Sequence, residues 1–303
     1  MYEHGLGICG YELIRELFIV FIKLILNSYL IMEYTINVRG QLIDLARPMV
    51  MGILNATPDS LYSGSRKQTE TEIANRANQI IEEGGRIIDV GAFSTRPGAE
   101  VVSVEEETER LRRALHIVRR EQPDAIISVD TYRPLVARKC VEEFGADIIN
   151  DVSEGGLTGI VGQAIHEEGD MFETVAKLGV PYILMSVQPT LKQMMKNFAA
   201  EVQRLRDLGA KDIILDPGYC FGKTLEQNYE IMSHAEQLLE LELPVLVGIS
   251  RKSMIFKLIG GDPTTSLNGT TALNTISLMK GASILRVHDV REAVEVCKIA
   301  ERF

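Results

Sequence analysis

Eight short apolar runs recur along the chain, and segments with a different apolar spacing separate them. The first run, PMVMGILN, is apolar almost throughout, as expected of a strand buried on both faces. The runs lie at 48–55, 87–91, 126–131, 147–152, 181–186, 212–218, 244–250 and 282–289. Between them, helical spacing predicts helices at 69–84, 104–121, 134–144, 171–178, 192–208, 225–241, 253–259 and 270–279. This alternation predicts an α/β fold, a single domain whose eight parallel strands close into a barrel.

Polar residues stand at or near the ends of these runs. A parallel barrel brings the C-terminal ends of its strands to one face, and enzymes of this architecture carry their active sites there. The chain is therefore expected to gather carboxylates, carboxamides and cations around one anionic substrate that forms hydrogen bonds. The residues concerned are Asn55, Arg96, Asp130, Asn150, Asp216, Lys252, Arg286 and His288.

Two segments precede the first run. Residues 34–45 roughly alternate between polar and apolar, which predicts a small hairpin that plugs the N-terminal mouth of the barrel. Residues 17–32 are apolar but interrupted by Lys23, Asn27 and Ser28, which does not suit a membrane span or a signal peptide. We interpret 1–31 as an extension with Met32 as a candidate start, and 32–303 as the barrel domain. A helix under the barrel and a membrane-surface anchor are the alternatives for the extension.

Composition narrows the classes of function. The 303 residues carry a net charge of −10, which argues against a general nucleic-acid-binding surface. The four cysteines are scattered without CxxC spacing, so they indicate neither a zinc site nor a disulfide framework. A reducing cytoplasm fits this pattern best. Small-molecule substrates are therefore expected, with no nucleic-acid or membrane partner.

Three of the loops after the strands carry candidate chemistry. In NATPDS, Asn55 offers a hard oxygen ligand suited to Mg²⁺, although the segment also fits an ordinary turn in which Asp59 accepts backbone N–H bonds. In STRPGAE, Arg96 fits a carboxylate or a phosphate, or is an ordinary surface arginine. In CFGK, Phe221 fits either a platform that stacks on an aromatic ligand or an apolar lid residue.

Other strand ends predict a heterocycle pocket beside a phosphate site. Carboxylates at Asp130 and Asp216 are costly to bury unless they are paired or used. A carboxylate accepts two parallel N–H bonds from an amidine-like edge, as in a pterin or a guanine, and Asn150 would read the remaining groups. GISRKS and RVHD follow the last two strands, where such barrels often bind phosphate. The alternatives are an external salt bridge for Arg251 and a satisfied core imidazole for His288.

With these motifs in view, the chain resembles the dihydropteroate synthase family. The matching blocks are MGILNATPDS, IIDVGAFSTRPGAE, SVDT, IINDVS, DPGYCFGKT, GISRKS and ILRVHDV, and they occur in family order between about residues 48 and 288. The resemblance implies a TIM (β/α)8 barrel and a homodimer. It also implies a transferase of folate biosynthesis that joins p-aminobenzoate to 6-hydroxymethyl-7,8-dihydropterin pyrophosphate, assisted by Mg²⁺. Sulfonamides, which mimic p-aminobenzoate, would inhibit it.

The resemblance also implies roles for individual residues. The catalytic set would be Asn55, Asp59, Lys252, Arg286 and His288, with Asn55 as the metal ligand and Asn55, Arg286 and His288 binding pyrophosphate. The pterin would be bound by Asp130, Asn150, Met185, Asp216 and Lys252, and p-aminobenzoate by Thr95, Arg96, Pro97, Phe221 and Ser253.

Some positions depart from the family pattern. Leu61 stands where the family usually has an aromatic residue, and Ser186 stands where it usually has a histidine. The stretch 155–170 also looks longer than usual. Two other hypotheses stay open, of which only the first is supported by these departures. One is a non-catalytic pterin-binding paralogue, and the other is an enzyme like the methyltetrahydrofolate:corrinoid methyltransferases, which would not need the phosphate-binding motifs.

Overall fold

A computed structural model describes residues 34–56, 63–93, 102–156 and 169–303; for residues 63–68 it describes only the backbone. A two-stranded antiparallel hairpin comes first, β1 (Thr35–Val38) and β2 (Gln41–Asp44). The hairpin confirms the prediction for 34–45. The predicted extension, 1–31, lies outside the described residues.

The barrel consists of eight parallel strands. They are β3 (Met49–Asn55), β4 (Ile87–Gly91), β5 (Ile126–Asp130), β6 (Ile148–Asp151), β7 (Tyr182–Met185), β8 (Ile213–Asp216), β9 (Leu246–Val247) and β10 (Ile284–Val287). The strand order is β8-β7-β6-β5-β4-β3-β10-β9, and all neighbours are parallel. A parallel bridge between Leu215 and Val245 joins the two edge strands. The predicted (β/α)8 barrel is therefore confirmed.

Helices connect the strands around the outside of the barrel. The α-helices are α1 (Ser63–Glu82), α2 (Val104–Glu121), α3 (Pro134–Glu142), α4 (Met171–Leu178), α5 (Leu191–Asp207), α6 (Leu225–Ser233), α7 (Ser253–Ile259), α8 (Leu267–Met279) and α9 (Val290–Ala300). Two 3₁₀ helices span Ala235–Leu241 and Pro263–Thr265. None of the helices in the described ranges has the length and apolar character needed to cross a membrane.

Helix α2, which has the clearest sequence signals, has the predicted bounds. Helix α2 begins after Ser103, whose side chain accepts a hydrogen bond from the backbone N–H of Glu106, and its first turn is acidic. Two arginines lie in its last turn, where they interact favourably with the helix dipole. Leu111 and Leu115 lie on its buried face. Cap, charge and periodicity thus agree over one segment, and the predicted range of 104–121 is correct.

Several predicted ranges were wrong in extent, among them the helix predicted at 69–84, which spans Ser63–Glu82, and two ranges that differ for a local reason. The helix predicted at 225–241 breaks at His234, where the backbone leaves the α region and the remaining turns are 3₁₀. The imidazole Nδ1 of His234 lies 2.8 Å from Ser233 Oγ and 3.1 Å from the carbonyl oxygen of Glu230. The strand predicted at 244–250 is reduced to Leu246–Val247 because the chain turns soon afterwards, with Arg251 at φ 56°.

A layer of apolar side chains fills the lower half of the barrel. It is formed by Met51, Ile87, Ile126, Ile148, Ile183, Ile214, Leu246 and Ile284, packed against Ile36, Val38 and Leu45 of the hairpin segment. The hairpin is fastened by Arg39, whose Nε lies 3.3 Å from a carboxylate oxygen of Asp147 and which donates to the carbonyl of Asp124 at 3.1 Å. The hairpin therefore closes the bottom, and only the upper layers can form a site.

Candidate active site

Polar residues form the next inward-facing layer of the barrel. Side chains two positions apart on a strand point to the same side, so the residues two places beyond the apolar layer also face inward. They are Asp89, Ser128, Asn150, Asp216 and Arg286, which make the layer predominantly polar, together with Ile53, Met185 and Gly248. Two further positions along, Asn55 and Asp130 lie near the mouth. The barrel is thus apolar below and charged above.

Arg286 lies at the centre of this polar layer, on β10. Its Nε donates to Asp89 Oδ2 at 2.6 Å, and one terminal nitrogen donates to Asp130 Oδ2 at 2.7 Å. Asn150 donates to the same Asp89 oxygen at 3.2 Å. A Cβ on Gly248 would lie 3.7 Å from the Cβ of Arg286, so the arginine packs over this glycine. Four strands therefore contribute to one hydrogen-bonded cluster.

Asp89 is a site residue that reasoning from strand ends misses. It is fully buried and lies two residues before the end of β4. The two-residue period counted from Ile87, which is also fully buried, places its side chain inside the barrel. This period was the signal that could have identified it.

The cluster has strongly perturbed charges. Burial opposes the charge of Arg286, but Asp89 and Asp130 outweigh burial and raise the arginine pKa. Burial raises the pKa of Asp130 to about 7, with Arg286 opposing the rise and Asp89 adding to it. Buried acids with raised pKa values are typical of functional sites.

Several acceptors in this layer are left open. Within the described part of the chain, the buried Oδ1 atoms of Asp89, Asp130 and Asn150 have no hydrogen-bond partner. A buried polar atom without a partner costs free energy, so these oxygens favour a ligand that supplies N–H groups. The site is therefore shaped for a donor-rich ligand.

Asp216 and Lys252 form a second charged group beside the first. Asp216 is buried at the end of β8, and its Oδ1 accepts the backbone N–H of Gly218 at 2.7 Å. Burial raises the pKa of Asp216, and Lys252 opposes the rise. The ammonium of Lys252 donates to the carbonyl of Tyr219 at 2.8 Å and lies 4.6 Å from the ring centroid of Phe221. The charge of Lys252 thus acts both on the Asp216 carboxylate and on the ring of Phe221.

Gly218 determines how closely the loops after β7 and β8 approach. Its φ is +62°, and a Cβ there would lie 2.2 Å from the carbonyl oxygen of Ser186 and 2.8 Å from Met185 Cγ. Only glycine fits this position, both for its backbone conformation and for the space available.

We expect Gly218→Ala to destabilise the protein by about 2–4 kcal/mol, since strain at a positive φ adds to a backbone clash. Gly179→Ala is the matched control, because Gly179 has a similar φ of +65° and nothing within 4 Å of its would-be Cβ. The control should cost only about 1 kcal/mol. Urea unfolding of both variants measures the difference, and equal losses would contradict the role of the close contact.

His288 and Asn55 lie on the other side of the mouth. The ring Nδ1 and the backbone N–H of His288 both lie 3.1 Å from Ser250 Oγ. Burial and then Arg286 lower the pKa of His288 to about 4, so the imidazole is neutral at pH 7. Asn55 ends β3 and is exposed. Arg76 connects the two strand ends by donating to the carbonyls of Ile53 at 3.1 Å and His288 at 2.7 Å.

The described part of the barrel brings most of the predicted site residues to one mouth. The residues at or next to strand ends on this side are Asn55, Asp130, Asn150, Met185, Asp216, Arg286 and His288. Phe221 lies on the loop after β8, and Lys252 and Ser253 lie at the start of α7. Asp59, Thr95, Arg96 and Pro97 lie outside the described residues, as does Leu61. The roles assigned to all these residues stay predictions.

The donor atoms at the mouth of the barrel indicate how Mg²⁺ could bind there. No cluster of three or more His, Cys, Asp or Glu side chains that could hold a metal ion occurs in the described ranges. Mg²⁺ often binds through one or two protein oxygens together with substrate phosphates and water. The exposed carboxamide of Asn55 at the mouth fits that mode.

A cavity of about 440 Å³ lies at the opposite end of the barrel, beside the hairpin. Its charged lining residues include Arg39, Arg119 and Asp147. These groups already pair within the protein: Arg119 donates to Asp147 at 3.0 Å and to the carbonyl of Gly145 at 2.8 Å. This end therefore serves stability rather than chemistry, as is general for such barrels.

Comparison with known proteins agrees with this geometry. Residues 51–288 match the model of the pterin binding enzyme family. The Escherichia coli K12 dihydropteroate synthase is 38% identical over 278 residues, which cover 87% of this chain and 94% of that enzyme. Solved relatives include the Yersinia pestis dihydropteroate synthase with a sulfonamide drug (TM-score 0.77, 34% identity, 89% of this chain and 98% of that one). The Xanthomonas albilineans enzyme with 4-aminobenzoic acid matches with a TM-score of 0.78, 32% identity and the same coverage. The chain belongs to the dihydropteroate synthase family of pterin-binding enzymes.

Proposed function

We propose that this enzyme joins p-aminobenzoate to 6-hydroxymethyl-7,8-dihydropterin pyrophosphate, which gives 7,8-dihydropteroate and pyrophosphate in folate biosynthesis. One observation carries the proposal. Buried acceptor atoms on Asp89, Asp130 and Asn150 have no partner in the described residues, and they surround a charged arginine in a barrel of this family. A pterin supplies the N–H donors that such a site lacks.

The proposed pterin pocket comprises Asp130, Asn150, Met185, Asp216 and Lys252, and we add Asp89 because its buried Oδ1 has no partner in the described residues. Asp216 would accept two N–H bonds from the amidine-like edge of the ring. Its Oδ1 already accepts from Gly218, and a carboxylate has about four lone-pair sites in total, so capacity remains. The fully buried Met185 side chain at the end of β7 would pack against the ring.

The proposed p-aminobenzoate slot lies towards the solvent from this pocket. Phe221 would stack on the aryl ring, while Lys252 over its face attracts the carboxylate. Ser253 begins α7, and its position at a helix N-terminus favours an anion. Thr95, Arg96 and Pro97 complete the slot in this proposal, although they lie outside the described residues.

The pyrophosphate would bind beside Asn55, Arg286 and His288. Arg286 uses two of its five N–H groups on carboxylates, so donors remain for the leaving group. The neutral His288 ring can donate one further hydrogen bond. When bound, Mg²⁺ held by Asn55 would supply additional positive charge for the leaving oxygens.

The chemistry needs placement more than a strong base. The C–O bond of the pterin methylene breaks with its electron pair going to pyrophosphate, and the arylamine nitrogen bonds to that carbon and then loses a proton. The buried carboxylates Asp89, Asp130 and Asp216 stabilise the positive charge that spreads into the ring. Loops after β3 and β4, including Asp59, would exclude competing water.

We further propose a cytoplasmic homodimer. Cys140, Cys220 and Cys297 are free thiols, as is usual in a reducing compartment. Leu258 and Ile259 on α7 and Ile276 and Met279 on α8 are 42–59% exposed, so two consecutive helices present apolar side chains to solvent. Such a patch suits contact with a second copy.

Pyrophosphate release tests the proposal directly. Purified protein with the pterin pyrophosphate and Mg²⁺ should release pyrophosphate only when p-aminobenzoate is added. A sulfonamide should compete with p-aminobenzoate, raising its apparent KM without changing kcat, since both would occupy the Phe221 slot. Omission of p-aminobenzoate is the control. Pterin binding without any release would instead identify a non-catalytic paralogue, and methyl transfer to a corrinoid would identify the methyltransferase alternative.

A further inference from the structure

The loops after β7 and β8 pack backbone against backbone beside the proposed p-aminobenzoate slot. Gly218 lies against the carbonyl oxygen of Ser186, and a Cβ on Gly222 would lie 3.4 Å from the carbonyl oxygen of Val187. Backbone carbonyls that lose water at such a contact cost free energy unless donors reach them. The contact therefore needs a cation or N–H groups beside it.

Lys223 supplies this cation. Its ammonium donates to the carbonyls of Ser186 at 2.8 Å, Gly218 at 2.9 Å and Phe221 at 3.1 Å. An ammonium has three donors, so each of its N–H bonds has one acceptor. One acceptor lies on the loop after β7 and two lie on the loop after β8, so a single side chain fastens both loops.

A buried carboxylate holds the same β7 loop from its other side. Glu154 accepts the backbone N–H of Val187 at 3.0 Å and the side-chain amide of Gln188 at 3.0 Å. Burial and then the nearby charge of Glu154 raise the pKa of Glu201 to about 8. The proton on Glu201 allows the two acids to lie together, and Glu154 is left to hold the loop.

The loop after β8, held by these bonds, places Phe221 next to Lys252. Lys252 binds the carbonyl of Tyr219 and lies over the ring of Phe221, so two ammonium groups bind four carbonyls of the two loops. Cys220 between them has φ +68°, and its N–H donates to Asn228 at 2.7 Å. The position of the aromatic ring thus depends on bonds made by the backbone around it.

We propose that Lys223 is a positioning residue for p-aminobenzoate: its three carbonyl bonds fix the loop that places Phe221 against Lys252. Lys223 acts through Phe221 and does not touch the reacting atoms. This inference rests on the proposed function, since it assigns the Phe221 loop to the second substrate.

The charges around Lys223 make the arrangement sensitive to pH. Burial lowers the pKa of Lys223 to about 8, and the charge of Lys252 adds to this shift. Asp216, Glu154 and Cys220 oppose it. Below this value the ammonium has three donors for three carbonyls. Above it the neutral amine has two donors and directs a lone pair at an oxygen, so the loop is held less firmly.

The test compares Lys223→Met and Lys223→Arg with the wild-type enzyme. In Lys223→Met, the KM for p-aminobenzoate should rise at least about tenfold, because small displacements of a binding group are costly. The Kd for the pterin pyrophosphate, measured calorimetrically without p-aminobenzoate, should stay within about threefold. Lys223→Arg should restore part of the loss. The KM of the wild type should rise more steeply above about pH 8 than that of Lys223→Arg, because arginine keeps its charge there whereas Glu201 titrates in both proteins.

Lys280→Met is the matched control. Lys280 also fastens a backbone carbonyl, that of Ser233 at 2.7 Å, but at a helix end away from the slot. It should change the melting temperature without changing either substrate constant. An unchanged KM for p-aminobenzoate in Lys223→Met, or an equal loss for both substrates, would overturn the inference while wild-type turnover still supports the function. If Lys223→Met does not fold, equal pH profiles for the wild type and Lys223→Arg would overturn it. A wild type without turnover contradicts the proposed function itself.

Discussion

Replacing Arg286 by methionine should lower kcat/KM at least about 10²-fold and the free energy of unfolding by about 3–5 kcal/mol. The substitution removes the cation from between Asp89 and Asp130, whose carboxylates it holds at 2.6 and 2.7 Å. Both acids then remain buried without their partner. It also removes donors proposed for the leaving pyrophosphate, so stability and turnover should fall together.

The stability loss should depend on pH with a defined sign. The pKa of Asp130 is raised to about 7, above an unfolded value of about 3.9. A carboxyl group whose pKa is raised by folding costs stability once it ionises, so its effect grows as the pH rises from about 4 through 7. Removing Arg286 raises this pKa further, and the loss should be larger at pH 8 than at pH 5.

Arg112→Met is the control for Arg286. Arg112 forms a two-bonded pair with Glu109 at 2.8 and 2.7 Å, but both side chains are exposed on α2. Surface pairs of this kind contribute about 0–1 kcal/mol, so the control should behave almost as the wild type. Urea unfolding at the two pH values and steady-state kinetics measure both effects. A variant at position 286 that keeps its stability, or loses it equally at both pH values, would contradict the central role of this cluster.

Asp216→Asn is expected to weaken binding of the pterin about 10²–10³-fold, because it removes charge-assisted hydrogen bonds. The amide oxygen would keep the bond to the Gly218 N–H, now made by Oδ1 at 2.7 Å. The new NH₂ group would then face the N–H groups of the ligand, donor against donor. Isothermal titration calorimetry with a pterin measures this loss.

Stability should respond in the opposite way from that at Arg286. Burial raises the pKa of Asp216, so its ionised form is held at a cost in folding free energy. A neutral amide of the same shape should leave the melting temperature equal or slightly higher. Active sites often lower the stability of a protein in this way.

Asp212→Asn is the matched control for Asp216. Asp212 immediately precedes the same strand, β8, at the opposite mouth of the barrel, and burial raises its pKa too. Its replacement should leave pterin binding unchanged. If both variants lost binding equally, or if Asp216→Asn bound normally, the proposed pterin pocket would be wrong.

Much of the site followed from the strand pattern. The apolar runs predicted eight parallel strands, and their ends predicted a shared mouth that includes Asp130, Asn150 and Asp216. This reasoning did not identify Asp89, because Asp89 lies within an apolar run and not at its end. It did not identify the role of Lys223 for a different reason. The partners of Lys223 are backbone carbonyls on two loops, and no residue type in the sequence shows which carbonyls will meet.

The sequence by itself determined the barrel, the number of its strands, the plug formed by the hairpin and the family. Local spacing carries this information, because a period of two or of 3.6 decides which side of each element is buried. Only the tertiary structure decided which charges meet. Arg286 and Asp89 are 197 positions apart, and their contact depends on the closure of the sheet and on the packing of Arg286 over Gly248. Buried polar groups interact only when they lie within a few ångströms of one another. Packing decides which groups come this close, and their spacing along the sequence does not.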